Sequence, residues 1–118
     1  MTDRLLTADE KYLVKWMLEN GEPEAAKFLE KVDELRVTPW RCPCGCASFN
    51  FSIETSAKQG MKVVADFLFG NEENLSGIFA FEYGGELAGI EIYGLAGDAP
   101  KILPKPEVLR PADFKKIQ

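Results

Sequence analysis

Ile78-Phe79-Ala80-Phe81-Glu82-Tyr83-Gly84-Gly85-Glu86-Leu87-Ala88-Gly89-Ile90-Glu91-Ile92-Tyr93 is the stretch from which the fold is read. Two β-rich runs flank Gly84-Gly85, the signature of a hairpin with a two-residue loop. With those glycines as the loop, Tyr83 stands opposite Glu86, Phe81 opposite Ala88 and Phe79 opposite Ile90. This register collects Phe79, Phe81, Ala88, Ile90 and Ile92 on one face and leaves Glu82 and Glu91 on the other. A slip of one residue would bury both glutamates, so the pattern selects its own register.

Working outward, period-two patterning recurs twice. Met61, Val63, Ala65, Phe67 and Phe69 alternate along one segment, and a polar turn, residues 70–74, follows it. Phe49, Phe51 and Ile53 alternate with Ser48, Asn50, Ser52 and Glu54, which predicts a strand over 47–54. Upstream the period becomes helical. Thr7-Ala8-Asp9-Glu10 matches a capping box, and Tyr12, Leu13, Trp16 and Met17 follow at helical spacing. Asn20-Gly21 is read as a left-handed stop. Pro23 suits a first helical position, and Ala25, Phe28, Leu29 and Val32 form the stripe of a second helix. The expectation is an α+β fold. An N-terminal antiparallel helical hairpin over 8–35 packs on a three- to four-stranded antiparallel β-meander within 37–96. An extended Pro-rich tail covers 97–118, with Ile102, Leu103, Val108 and Leu109 as its anchors.

The 118 residues, 46% of them hydrophobic, match the size and composition of one self-sufficient domain and not those of a disordered chain. Residues 1–40 carry nine acids and six bases, 41–96 seven and three, and 97–118 three and five. A face that neutralises phosphates must be basic, so nucleic acid is not an expected partner. No apolar run approaches the ~20 residues of a membrane span, and no secretory signal pattern opens the chain. The expected location is cytoplasmic. The chain has no histidine, which excludes Ser-His-Asp, Cys-His and HExxH chemistry. The expectation is therefore a non-enzymatic protein that works through contact with a protein partner or as a homodimer. Tyr83, Tyr93, Glu82 and Glu91 read as a solvent-facing side or rim of the hairpin, and Trp16 and Trp40 as core or core-rim aromatics.

Against that stands Cys42-Pro43-Cys44-Gly45-Cys46. Three thiols at alternate positions share one side of an extended segment, or converge if Gly45 makes a turn. Thiolates bind zinc, copper(I) and iron–sulfur clusters, and the adjacent Arg41 favours the thiolate form. Cys42, Cys44 and Cys46 are thus the candidate metal ligands, with zinc or copper as the cofactor. A thiol-redox role is the other chemical reading. Zinc sites usually take four ligands with wider spacing, and a disulfide across one intervening residue closes a strained ring. The plainer reading is a tight connection with the cysteines as small fillers.

The run Arg41-Cys42-Pro43-Cys44-Gly45-Cys46-Ala47-Ser48-Phe49-Asn50-Phe51 follows a predicted helical hairpin containing Glu19-Asn20-Gly21-Glu22-Pro23-Glu24-Ala25-Ala26. With Gly85 to Tyr93 as a glycine-led last strand, the chain resembles a group of small uncharacterised bacterial proteins over about residues 8–109. The resemblance implies a bacterial cytoplasmic stand-alone domain and carries no activity.

Overall fold

Thr7 opens the helical part of the chain. In the computed structural model, which describes residues 2–54 and 60–112, helix α1 runs Ala8–Asn20. The Glu10 amide donates to Thr7 Oγ1 at 3.2 Å, and the Thr7 amide donates to Glu10 Oε1 at 2.8 Å, completing the capping box. Two short strands not foreseen from the sequence, β1 (Arg4–Leu5) and β2 (Arg36–Val37), pair antiparallel beside it. That pairing brings the Arg4 guanidinium onto both oxygens of Glu10, at 2.8 and 2.9 Å.

Gly21 ends α1, but not as a left-handed stop: its φ is −88°. A Cβ there would stand 2.6 Å from the Val64 carbonyl oxygen and from Ala65 Cβ, so only glycine lets the chain pass this close to the sheet. Directly after it, the Glu22 amide donates to that same Val64 carbonyl at 2.8 Å. The second helical segment, Pro23–Glu34, is a 3₁₀ helix. Its buried residues, Ala25, Phe28 and Val32, are spaced by three and four, and such spacing does not separate a 3.0-residue turn from a 3.6-residue one.

The main sheet is antiparallel and has five strands, one more than the upper expectation. These are β3 (Phe49–Asn50), β4 (Lys62–Phe69), β5 (Ser76–Tyr83), β6 (Glu86–Gly94) and β7 (Arg110–Pro111), in the spatial order β3-β6-β5-β4-β7. The expected strand over 47–54 shrinks to two residues and lies beside β6. Phe51 continues its line, donating to the Ala88 carbonyl and bridging to Val37.

The hairpin register holds at the turn and fails beyond it. Tyr83 faces Glu86 and Glu82 faces Leu87, but Phe81 faces Gly89, Ala80 faces Ile90 and Phe79 faces Glu91. Ala88 is the extra residue of a β-bulge, and Val64 is another on the opposite side of β5, between Val63 and Ala65. Each bulge reverses the alternation along its strand. Val64 and Ala88 are therefore buried, while Met61 and Val63, expected inside, are exposed. Ile78, Ala80, Ile90 and Ile92 face the helices. Phe79, expected in the core, lies half-buried on the opposite face, 5.8 Å from the Phe81 ring and 5.9 Å from that of Tyr93. Glu82 takes an inward place at the sheet's end, where Lys27 of the 3₁₀ helix meets its carboxylate at 3.5 Å.

The core lies between this inner face and the helices. Leu13, Val14, Met17 and Leu18 of α1 are fully enclosed, and the Trp16 ring packs tilted against that of Phe67, centroids 4.9 Å apart. The tail is not simply extended. A 3₁₀ turn, Pro106–Val108, precedes β7, which pairs with β4 through Phe67 and Leu68. Leu109 is buried and Leu103 packs on the core, but Ile102 is 80% and Val108 53% exposed, so two of the four expected anchors do not anchor. The part of the expected tail over 113–118 lies outside the described residues. Among the described residues no helix is long and apolar enough to cross a membrane.

Two predictions follow from this packing. Phe67→Ala lowers the unfolding free energy by about 3–5 kcal/mol, whereas Phe79→Ala costs about 1–2 kcal/mol, the worth of a half-buried ring with aromatic neighbours. Denaturant melts giving equal losses would place Phe79 inside. The Arg4 hydrogen bonds hold the Glu10 carboxyl below its usual range against burial that pushes it up, and the Thr7 contacts assist. A carboxyl lowered in the folded state contributes stability above its unfolded pKa and loses it as pH falls through the folded one. Glu10→Gln should therefore cost about 1–2 kcal/mol at neutral pH, and its melting curve should converge with that of the parent chain in acid.

Candidate metal centre

Residues 42–45 form a tight turn, closed by the Gly45 amide donating to the Cys42 carbonyl at 2.9 Å. Pro43 takes the second position, which its fixed φ suits, and Gly45 sits at φ +83°, a conformation that side chains disfavour. The turn converts three alternating thiols into a convergent group. All three Sγ atoms lie within 4.8 Å of one another. Cys42 Sγ and Cys44 Sγ are 2.8 Å apart, either thiol able to donate to the other, and the Cys46 amide donates to Cys44 Sγ at 3.3 Å. Cys44 is exposed, and Cys42 and Cys46 are half-buried.

Ser48, placed on the polar side of a strand by its sequence position, is buried and anchors the group. Its Oγ accepts the Ile92 amide at 2.8 Å and lies 3.3 Å from the Ile92 carbonyl. It therefore satisfies β6 just where β3 has ended. The same oxygen is 3.1 Å from Cys46 Sγ. While Cys46 is a thiol, it donates to Ser48 and the hydroxyl turns to the Ile92 carbonyl. Once Cys46 is a thiolate, the hydroxyl turns to donate to sulfur.

This arrangement separates the thiols electrostatically. Burial pushes Cys46 up, but hydrogen bonds from Ser48 and from the Cys44 and Cys42 thiols outweigh it and bring Cys46 down to about 7. Cys44 is driven the other way, to about 11, by its hydrogen bonds with Cys42 and Cys46. The lowering comes from Ser48 and the sister thiols in place of the Arg41 guanidinium expected from the sequence.

Beside the turn opens a cleft of about 480 Å³, bordered by Cys42 and Cys46 but not by Cys44. Arg4, Thr38, Trp40, Arg41 and Lys101 contribute to its wall. Trp40 is 45% exposed here, at a rim, while Trp16 is partly buried and packs against the core. Lys101 arrives from the far end of the chain because the Ala47 amide donates to the Pro100 carbonyl at 3.0 Å. Its Cε stands 3.8 Å from where a Cβ on Gly45 would be. Thr38 Oγ1 is buried with no hydrogen-bond partner among the described residues. Nothing in the sequence marks Lys101, more than fifty positions from the cysteines, as their neighbour. For Ser48 the only signal is its two-residue distance from Cys46.

The remaining polar candidates do not join this group. Tyr93 lies over Gly77 on the outer face, with its hydroxyl 3.5 Å from Asp66. Glu82 meets Lys27, and Glu91 is exposed. Comparison with family models, curated proteins and solved structures finds no match. The roles of these residues therefore rest on their geometry.

Ser48→Ala removes the hydroxyl that stabilises the Cys46 thiolate. Ultraviolet titration of thiolate absorbance should then show the most acidic thiol moving up from about 7. An unchanged titration would remove Ser48 from the account.

Proposed function

We propose that this protein binds one thiophilic metal ion, Zn(II) or Cu(I), through Cys42, Cys44 and Cys46. The observation that carries the reading is the convergence of all three Sγ atoms within 4.8 Å. Sulfurs bound to zinc at about 2.3 Å stand roughly 3.8 Å apart in a tetrahedral site, so the group needs only a small opening of the Cys42–Cys44 pair. Cu(I) fits the same three donors in a trigonal arrangement. The Cys46 thiol is already close to ionisation at neutral pH, and Ser48 supplies the outer hydrogen bond that fixes a ligand's orientation.

A thiol-redox role draws on the same residues. It requires two sulfurs, and the convergent third is what favours the metal. Contact with a protein partner or a second copy is supported by a different feature, the aromatic face carrying Phe79, Phe81, Tyr83 and Tyr93 on the side of the sheet away from α1. Face-to-face contact suits it better than strand addition, since both sheet edges are two-residue strands and one ends in Pro111.

The test is elemental analysis of reduced protein prepared without chelator. About one zinc or copper per chain is expected, with most of it lost in each of Cys42→Ser, Cys44→Ser and Cys46→Ser. Because binding displaces thiol protons, and Cys44 holds its proton to about 11, affinity should rise with pH. Metal-free protein with three freely titrating thiols, and no uptake on adding either ion, would overturn the reading.

A further inference from the structure

We infer that the cleft beside the cysteine turn receives a small thiol bearing a carboxylate, whose sulfur takes the fourth position on a zinc ion and whose carboxylate is held by Arg41 and Lys101. The inference rests on the metal reading above and concerns what completes the site. Three thiolates leave one position of a tetrahedral ion open. The chain has no histidine, and among the described residues the cluster gathers no fourth ligand. Glu10 is the acidic side chain in the cleft wall, and it is committed: both oxygens receive Arg4, and one also receives the Thr7 amide. Among the described residues, then, no free donor completes the site, and a ligand from outside takes the fourth position.

The surroundings specify its chemistry. Cys42 and Cys46 border the cleft while Cys44 faces outward, so a ligand lying in the cleft reaches the ion from that side. A zinc ion with three thiolates carries a net negative charge and would repel an anion by itself. Arg41 and Lys101 reverse this locally. Both line the cleft, and neither forms an ion pair among the described residues, unlike Arg4. Sulfur suits the soft metal position, and a carboxylate suits the two cations. Thr38 Oγ1, buried in the same wall and without a partner among the described residues, offers one more polar contact. A cleft of about 480 Å³ accommodates a small molecule.

Cobalt(II) replaces zinc as a coloured probe, and the loaded protein is titrated with mercaptoacetate, 2-mercaptoethanol and acetate. Mercaptoacetate should change the sulfur-to-cobalt charge-transfer bands with about tenfold higher affinity than 2-mercaptoethanol, the advantage of two partly exposed charge contacts. Acetate should leave those bands unchanged. In Arg41→Gln/Lys101→Gln the preference for mercaptoacetate should be lost or reversed, the bands of the thiol-free protein reporting that the metal is still held. Equal affinities in the parent protein, or a preference that survives the double substitution, would overturn the cleft assignment and leave the metal reading standing. Protein that develops no cobalt bands would overturn this inference together with the zinc form of the metal reading.

Discussion

The two bulges that flank Phe81 on β5 decide which side of the sheet meets the helices. Val64 and Ala88 each insert one residue against a continuous β5, and every side chain beyond them changes face. The helix-facing surface is thereby composed of Ala65, Phe67, Ile78, Ala80, Ile90 and Ile92, all buried. Phe79 and Tyr93 are placed outside. Val64 has a second part in the fold, since its carbonyl receives the Glu22 amide directly behind the close pass of Gly21. The bulge on β4 thus also fixes where α1 ends and the 3₁₀ helix begins.

The same register reaches the thiols. It leaves Ile92 on β6 next to the point where β3 stops, with an amide and a carbonyl at an open edge. Ser48 fills that edge with one hydroxyl, which is also the partner of Cys46. A structural requirement of the sheet therefore tunes the thiol. The turn that gathers the sulfurs is held at its other end by the Ala47–Pro100 hydrogen bond, which brings Lys101 alongside. Sheet edge, cysteine turn and returning tail form a single connected unit, in which Ser48 and the sister thiols together set the acidity of Cys46.

Local signals that act within a few residues were legible in the chain. The Thr7–Glu10 capping box is one, the Gly84-Gly85 hairpin loop is another, and the clustering of three cysteines is the third. Signals that depend on partners far along the chain were not. Strands of two residues, such as β1, β2 and β7, are too short to show a period. The 3₁₀ character of Pro23–Glu34 is hidden because its buried positions fit either helix. The bulges are invisible for a related reason: alternation identifies a strand, but an inserted residue is defined only against its neighbour.

By itself, then, the sequence determined the α+β composition, the position of the hairpin turn and the identity of the three thiols. These follow from periodicity, glycine conformation and chemistry carried within one segment. Only the tertiary structure decided which face of the sheet is buried, that the sulfurs converge, and that Ser48 and Lys101 stand beside them. Those outcomes depend on hydrogen bonds between segments up to about fifty residues apart, Ser48 with Ile92 and Ala47 with Pro100, and no local pattern encodes a pairing over that distance.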